Sequence, residues 1–291
     1  MKIRHITNID GGQDGAIYGD YLFRLNARGL CCVYDIDGFR PCDEQTKPIS
    51  AFYLDRADEL IPHSNSVVFG NEFYDPNDEF PLLYTNIYNN CANLRFAGDD
   101  LMKGVCCVYR IKRSGCDLSS ELVQLIQIGF VEDTEYWRSF ADRDDVRPYG
   151  NFVVDAENSV LYAFTMRDGH NSTRYFAFDL PKLSQGEPDE RYHVNRVILN
   201  ARDIKKYFDC EYHRFIQGAC FNKDRIYSLE GFSNDEKNPP ALRVTNTVEG
   251  RQEIYVSFDK YGLTAEPELI DFRGDLCYYG DAHGKLYIIE F

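Results

Sequence analysis

The sequence predicts an all-β protein, a five-bladed β-propeller, and two observations lead to this prediction. Residues 29–36, Gly-Leu-Cys-Cys-Val-Tyr-Asp-Ile, return almost unchanged at 104–111 as Gly-Val-Cys-Cys-Val-Tyr-Arg-Ile, and a looser copy occupies 175–180. Apolar and polar residues also alternate with the period of a strand, and Gly, Asn or Asp interrupts the alternation about every eight to twelve residues. Repetition of this kind is typical of chains built from similar sheets.

Turn residues divide the alternating segments into five predicted sheets, each of about four short strands. The first two are expected at 15–18, 21–25, 30–36 and 49–54, and at 65–69, 82–86, 105–111 and 123–130. The next two are expected at 151–155, 160–165, 175–180 and 194–199, and at 217–221, 225–229, 241–245 and 253–258. Short helices are expected between sheets at 117–123, 134–141 and 201–208.

The fifth sheet has only three strands of its own, at 269–272, 276–280 and 285–291. Residues 2–9 form a further strand, at the N-terminus, that belongs to none of the other sheets. Pairing this strand with 285–291 completes the fifth sheet and closes a ring without exposed edges. A stack of two β-sandwiches would leave the first strand unused. We therefore expect one propeller domain over residues 1–291.

Charge and hydropathy exclude some classes of partner. The chain of 291 residues carries a formal net charge of −15, which repels a phosphate backbone and argues against nucleic acid. No stretch approaches the roughly 20 apolar residues that span a bilayer. The first residues lack the apolar segment of a secretory signal. We expect a cytoplasmic protein with neither a nucleic-acid nor a membrane partner.

The ten cysteines do not suggest a disulfide framework. The sequence has no Cys-x-x-Cys pair, and Cys31/Cys32 and Cys106/Cys107 are adjacent on predicted strands, where neighbouring side chains point to opposite faces. Such residues behave as small buried hydrophobes with free thiols, and a reducing compartment fits them.

Each innermost strand of the predicted sheets begins at a polar residue. Aligning the sheets on their second strands identifies these residues as Gln13, Asn65, Asn151, Gln217 and Glu268. Innermost strands surround the axis of a propeller, so the five side chains are expected to converge on one mouth. Their amides and carboxylate can donate and accept hydrogen bonds. Convergent polar groups in a concave site favour binding of a small polar ligand.

Neighbouring residues extend this predicted mouth. His63, Arg214 and Glu266 are expected at its rim as further ligand-binding residues, and Tyr149 offers an aromatic face for stacking. Amides and an acid suit bidentate hydrogen bonds to hydroxyl groups, so we expect a ligand such as a sugar or the end of a glycan. No cofactor or metal site is expected, beyond a weakly held cation on the axis, because phosphate-loop, zinc-helix and serine-elbow motifs are absent from the sequence.

Two other functions remain open. A propeller hydrolase of the glycosidase or lactonase type would use Glu268 with Asp14 or His63 as an acid/base pair. A glycosidase needs two carboxyl groups about 5–5.5 Å or roughly 6.5–9.5 Å apart, according to its mechanism. A protein-interaction scaffold would bind through its loops and leave the axial residues a structural role. Non-catalytic ligand binding is the interpretation that we prefer.

The C-terminal third contains a recognisable set of motifs. Gln217-Gly218-Ala219 precedes Arg225-Ile226-Tyr227 by five residues, and Glu266-Pro267-Glu268 precedes Leu276-Cys277-Tyr278. Over residues 214–280 this pattern resembles the bacterial five-bladed propellers grouped with helveticin-type bacteriocins and teichoic-acid biosynthesis protein C. The resemblance implies a five-bladed fold with Gln217, Glu266 and Glu268 near the axis, and no agreed reaction. Since the chain lacks the leader of secreted members, a bacteriocin or cell-wall role is not expected.

Overall fold

Five sheets are arranged around a common axis, and their strands are antiparallel except for one parallel pair in blade 2. The computed structural model describes residues 1–42, 44–60, 62–87, 105–128, 152–167, 171–211 and 215–291. The chain begins with β1 (Lys2–Asn8), and blade 1 follows with β2 (Gly15–Tyr18), β3 (Tyr21–Leu25), β4 (Leu30–Asp35) and β5 (Ser50–Tyr53). A single helical turn, α1 (Ala57–Leu60), leads to blade 2.

The chain passes from blade 2 to blade 3, returns to blade 2, and then completes blade 3. Blade 2 contains β6 (Val67–Phe69), β7 (Leu83–Ile87), β8 (Val105–Ser114) and β9 (Asp117–Ile128). Blade 3 contains β10 (Phe152–Asp155), β11 (Val160–Arg167) and β12 (Ser172–Asp179). The chain then returns to blade 2 with β13 (Glu187–Asp189) and β14 (Val194–Leu199), and β15 (Lys206–Glu211) completes blade 3.

Blades 4 and 5 are continuous in sequence. Blade 4 contains β16 (Ile216–Asn222), β17 (Arg225–Glu230), β18 (Ala241–Asn246) and β19 (Arg251–Ser257). Blade 5 contains β20 (Pro267–Arg273), β21 (Leu276–Asp281) and β22 (Lys285–Glu290). Within the described residues, 3₁₀ turns at Ala201–Asp203 and Phe258–Tyr261 connect strands.

The N-terminal strand closes the ring, as the sequence predicts. β1 pairs antiparallel with β22, with Lys2 opposite Glu290 and Asn8 opposite Lys285. The innermost strands contact one another in the circular order β2, β6, β10, β16, β20, and β20 contacts β2 again. The predicted five-bladed propeller, closed by its first strand, is therefore confirmed.

Three local predictions are wrong. The strand at 194–199 exists, but it pairs parallel with β9 of blade 2 instead of completing blade 3. Residues 117–123 form the first part of β9 instead of a helix. Leu118 and Leu122 lie on one buried face of this strand, and their spacing of four residues would also place them on one face of a helix. Of the helix expected at 201–208, only the 3₁₀ turn forms, and β15 begins at Lys206. The helix expected at 134–141 lies outside the described residues.

Aromatic and aliphatic side chains fill the spaces between blades. Between blades 1 and 2, the rings of Phe23 and Phe69 meet edge to face with centroids 5.0 Å apart, and Phe23 meets Phe80 at 5.2 Å. Such geometry is favourable for aromatic pairs. The cysteines that the structure describes are free thiols, and most of them are buried. Within the described part of the chain, no helix is long and apolar enough to cross a membrane.

Candidate functional site

Five polar side chains meet around the axis at one end of the propeller. We call Gln13, Asn65, Gln217, Glu266 and Glu268 the axial cluster. Each lies at or just before the start of an innermost strand, namely β2, β6, β16 or β20. These strands contact their neighbours, and β6 also contacts β16 across the axis. The convergence follows from topology, since equivalent positions of the innermost strands lie at the same end of the ring.

Hydrogen bonds connect the cluster in two groups. Asn65 Nδ2 donates to Gln217 Oε1 at 3.3 Å, and Gln217 Nε2 donates to Glu266 Oε1 at 2.6 Å. Gln13 Nε2 donates to Glu268 Oε1 at 3.1 Å. Gln13 and Glu266 are half-buried, whereas the other three members are buried. The cluster therefore has an accessible outer side and a desolvated inner side.

Gly218 explains how strands β16 and β20 approach so closely. A Cβ atom at this position would overlap the carbonyl oxygen of Glu268. Only glycine leaves room for the two backbones to pass at this distance. The Gln217-Gly218 pair thus combines an axial amide with the close approach that brings it to Glu266.

Asp14 is buried and joins three innermost strands. Its Oδ2 accepts a hydrogen bond from the backbone of Val67 at 3.1 Å, and its Oδ1 accepts one from Ile270 at 3.4 Å. The side chain has no exposed surface, and burial raises the pKa of Asp14 well above its ordinary value. Asp14 is therefore a structural link between β2, β6 and β20, which removes it as an accessible acid/base partner.

Glu268 is a buried acid with an unusual protonation state. It is 3% exposed. Burial raises its pKa to about 8, Arg24 opposes this rise, and Glu266 adds to it. Near neutral pH most molecules therefore hold Glu268 as a neutral acid, which can both donate and accept a hydrogen bond. Burial also raises the pKa of Glu266.

The structure adds Arg24 of β3 to the site. Its Nη2 donates to the carbonyl oxygens of Gly12 and Asp281, each at 2.9 Å, and the side chain is 2% exposed. Gly280 lies against Nη1, where a Cβ atom would come within 2.5 Å. Burial lowers the pKa of Arg24, and the nearby carboxyl of Glu268 opposes this change.

Several buried polar atoms of the site have no hydrogen-bond partner among the described residues. They are Nε and Nη1 of Arg24, Oδ1 of Asn65 and Oε2 of Glu268. Buried polar groups in proteins nearly always have partners, either protein atoms or bound molecules. The inner side of the axial cluster therefore carries donors and acceptors without a protein partner, which an enclosed water or another bound polar molecule can satisfy.

Of the remaining predicted site residues, the structure describes His63 alone. His63 is half-buried, its carbonyl accepts the backbone N–H of Asn65 at 2.8 Å, and burial lowers the pKa of its imidazole. Asn151 and Arg214, together with Tyr149, lie outside the described residues. In the part of the chain that the structure describes, no three His, Cys, Asp or Glu side chains gather as metal ligands.

Comparison with known proteins supports the fold. No known family profile matches the sequence. No curated protein matches it either, so the resemblance to the helveticin group is not confirmed. The structure is similar to that of glutaminyl cyclase from Myxococcus xanthus, with a TM-score of 0.52, 7% identity and coverage of 100% of this chain and 94% of that one. BamB from Moraxella catarrhalis also matches, with a TM-score of 0.33, 11% identity and coverage of 95% and 71%. At such low identity, the likeness to glutaminyl cyclase concerns the arrangement of strands alone.

Proposed function

We propose that the axial cluster binds a small polar ligand, a carbohydrate, without catalysing a reaction on it. The observation that carries this proposal is the set of buried, unpartnered polar atoms on Arg24, Asn65 and Glu268 behind the half-buried Gln13 and Glu266. The two Arg24 nitrogens donate, Asn65 Oδ1 accepts, and the protonated Glu268 carboxyl can donate through Oε2. This mixture suits a molecule that carries several hydroxyl groups, since each hydroxyl both donates and accepts.

The charge state of the site favours a neutral ligand. Glu268 is mostly protonated near pH 7, because burial raises its pKa to about 8. Arg24 donates to two carbonyl groups, and its charge interacts most strongly with Glu268 and then with Asp14 and Asp281. A ligand with a full charge would enter a desolvated site without a free counter-ion, which costs several kcal/mol or more. Hydroxyl groups avoid this cost.

The arrangement of carboxyl groups supports binding over hydrolysis. Glu266 and Glu268 stand two residues apart at the start of the same strand, and Asp14 uses both of its oxygens for backbone hydrogen bonds. No two of these acids therefore face each other across a bound sugar as glycosidase chemistry requires.

One observation favours a second candidate. A carboxyl group with a raised pKa is typical of general acids, and Glu268 has this property. A hydrolase would then use Glu268 as the acid and His63 as the base. It predicts release of product from a sugar or lactone substrate, and loss of that product in Glu268→Gln.

Binding can be tested by thermal shift and calorimetry with neutral sugars. We expect wild type to be stabilised, since a ligand that binds only the folded state raises its stability with concentration. Gln217→Ala removes two hydrogen bonds from the cluster and should weaken binding about tenfold or more. The matched control is Gln45→Ala, which removes an exposed glutamine whose amide donates to Asp10 and which is not a member of the axial cluster. Equal shifts in wild type and both variants would contradict the proposal.

A further inference from the structure

A second concave site lies where blade 3 meets blade 4. It is a cavity of about 370 Å³, within the ~300–1,000 Å³ typical of small-molecule sites, and it belongs to the described part of the chain. Its lining includes Glu211, Glu230, Gly231, Asn238, Arg243 and Tyr255. These residues come from the end of β15, from blade 4 and from the loop that follows β17.

The cavity opens at the same end of the propeller as the axial cluster. β16 begins at Ile216, next to Gln217, and Glu230 at the end of β17 pairs with Ile216 across the ladder. The cavity residues Glu230 and Gly231 therefore stand beside the start of an innermost strand. Both sites belong to one face.

A single loop, residues 231–240, forms the wall that both sites share. On the axial side, the carbonyl of Gly231 accepts a hydrogen bond from Gln217 Nε2 at 3.1 Å, and Ser233 Oγ accepts one from the backbone of Glu266 at 2.8 Å. On the other side, Lys237, Asn238 and Pro239 line the cavity. One residue, Gly231, thus touches the axial cluster and the cavity at once.

Two phenyl rings lie beside this shared wall. Phe215 and Phe232 contact each other with ring centroids 4.7 Å apart. Phe215 is 45% exposed, and its carbonyl accepts the backbone N–H of Gly231 at 3.1 Å. Its φ of 54° is unusual for a bulky residue and is the kind of strain found near binding sites. An exposed phenyl face suits the C–H face of a sugar ring.

The floor of the cavity is polar but electrically balanced. Arg243 forms a bidentate pair with Glu230, from Nε to Oε1 at 2.5 Å and from Nη2 to Oε2 at 3.2 Å. Both residues are buried. The guanidinium carbon lies 4.7 Å from the centroid of the Tyr255 ring, which is 47% exposed. Because the two charges neutralise each other, the floor favours a neutral occupant with hydroxyl groups over an ion.

We propose that the ligand is a neutral oligosaccharide of at least two units that occupies both sites. One unit binds the axial cluster, the chain passes over Gly231 and Phe215, and the next unit lies in the cavity against Tyr255. This inference rests on the proposed function and extends it from a single sugar to an oligomer, since the two sites share one face and one wall.

The test is calorimetry with sugars of increasing length. The probes are N-acetylglucosamine, its dimer and tetramer, and glucose, cellobiose and cellotetraose. In at least one of the two series, we expect the tetramer to bind wild type at least about tenfold more tightly than the monomer, because the tetramer reaches the second site. Tyr255→Ala should remove most of this gain and leave the affinity for the monomer unchanged.

A matched control exists on the neighbouring blade. Tyr207 is 50% exposed and lies under the guanidinium of Arg174 at 4.8 Å, as Tyr255 lies under Arg243, but it does not line the cavity. Tyr207→Ala should change neither affinity. Equal affinities for monomer and tetramer, or a full chain-length gain in Tyr255→Ala, would overturn the extended site and leave single-sugar binding standing. Failure of all six sugars to bind wild type would overturn both proposals.

Discussion

Glu268 shows at the scale of one residue how burial changes chemistry. The pKa of a carboxyl raised to about 8 means that the folded state holds its proton more tightly than the unfolded chain does. The associated stabilisation is complete below the unfolded pKa, near 4.5, and is lost as the pH rises through about 8. The same side chain that suits a neutral ligand therefore makes the fold sensitive to alkali.

We predict that Glu268→Gln changes the pH dependence of stability in one direction. Glutamine resembles the protonated acid and does not ionise, so the variant should lose less stability than wild type between pH 5.5 and pH 8.5. The difference between the unfolding free energies of the variant and of wild type can grow by up to about 1.4 kcal/mol per pH unit. Urea unfolding at three pH values measures it. Asp14 and Asp271 are also buried acids with raised pKa values, but they are present in both proteins and cancel in the comparison.

An exposed acid provides the control for this measurement. Glu190 lies on the surface, so Glu190→Gln should give the same pH profile as wild type. Parallel profiles for wild type and Glu268→Gln would show that Glu268 is ionised in the fold at neutral pH.

The predicted convergence of polar strand starts can be compared with the structure, whereas their role in binding stays a prediction. Of the five side chains predicted by aligning the strand starts, four lie within the described residues and hydrogen-bond around the axis, and the fifth, Asn151, lies outside them. Sequence reasoning misses Arg24 because it lies in the apolar run of β3. Only the folded structure shows that its guanidinium group donates hydrogen bonds to Gly12 and Asp281. A charged residue in a predicted buried strand was the one available signal.

At the scale of elements, the loop 231–240 is held by the conformation of its first residue. Gly231 has a φ of 98°, and a Cβ atom there would overlap the carbonyl oxygen of Pro239. Glycine adopts this conformation without steric cost. The loop can therefore turn sharply after β17, and the Gly231 carbonyl stays within reach of Gln217.

We predict that Gly231→Ala weakens both the fold and ligand binding. The conformation alone costs an alanine about 1–2 kcal/mol, and overlap with Pro239 should add at least about 1 kcal/mol. The matched control is Gly262→Ala, where φ is 70° but no atom lies within 4 Å of the added Cβ. Urea denaturation and sugar binding are measured on both. If the two variants lose equal stability and keep equal affinity, the loop tolerates the overlap and does not shape the site.

The strands themselves are predictable from alternation, but their partners are not always so. Residues 194–199 are a strand, as expected, yet they pair parallel with β9. Alternation reports which face is buried and carries no information about the neighbour across the ladder. The same limit applies to Leu118 and Leu122, whose spacing fits one face of a helix or of a strand.

At the scale of the whole molecule, the ring is closed by the pairing of its first and last strands, β1 and β22. β1 pairs with β22, and its Ile3 packs against the core between blades 4 and 5, while Ile6 packs near blade 1. Without β1, the edge of β22 is left unpaired and open to other chains. The orphan first strand made this closure predictable, since it had no other sheet to join.

We predict that deleting residues 1–8 destabilises the protein, whereas moving them does not. Ile3 and Ile6 are half-buried, so their loss removes at most about 3–6 kcal/mol of apolar burial. Each kcal/mol lowers Tm by about 2–4 °C in a chain of roughly this size. The matched variant is a circular permutant in which a short turn joins Phe291 to Met1 and the chain opens before β2. Lys2 lies opposite Glu290, so a short turn suffices and every strand keeps its partner. Scanning calorimetry should therefore give the permutant a Tm near that of wild type and the deletion variant a clearly lower one. A deletion variant as stable as wild type would mean that the propeller does not need the pairing of β1 with β22.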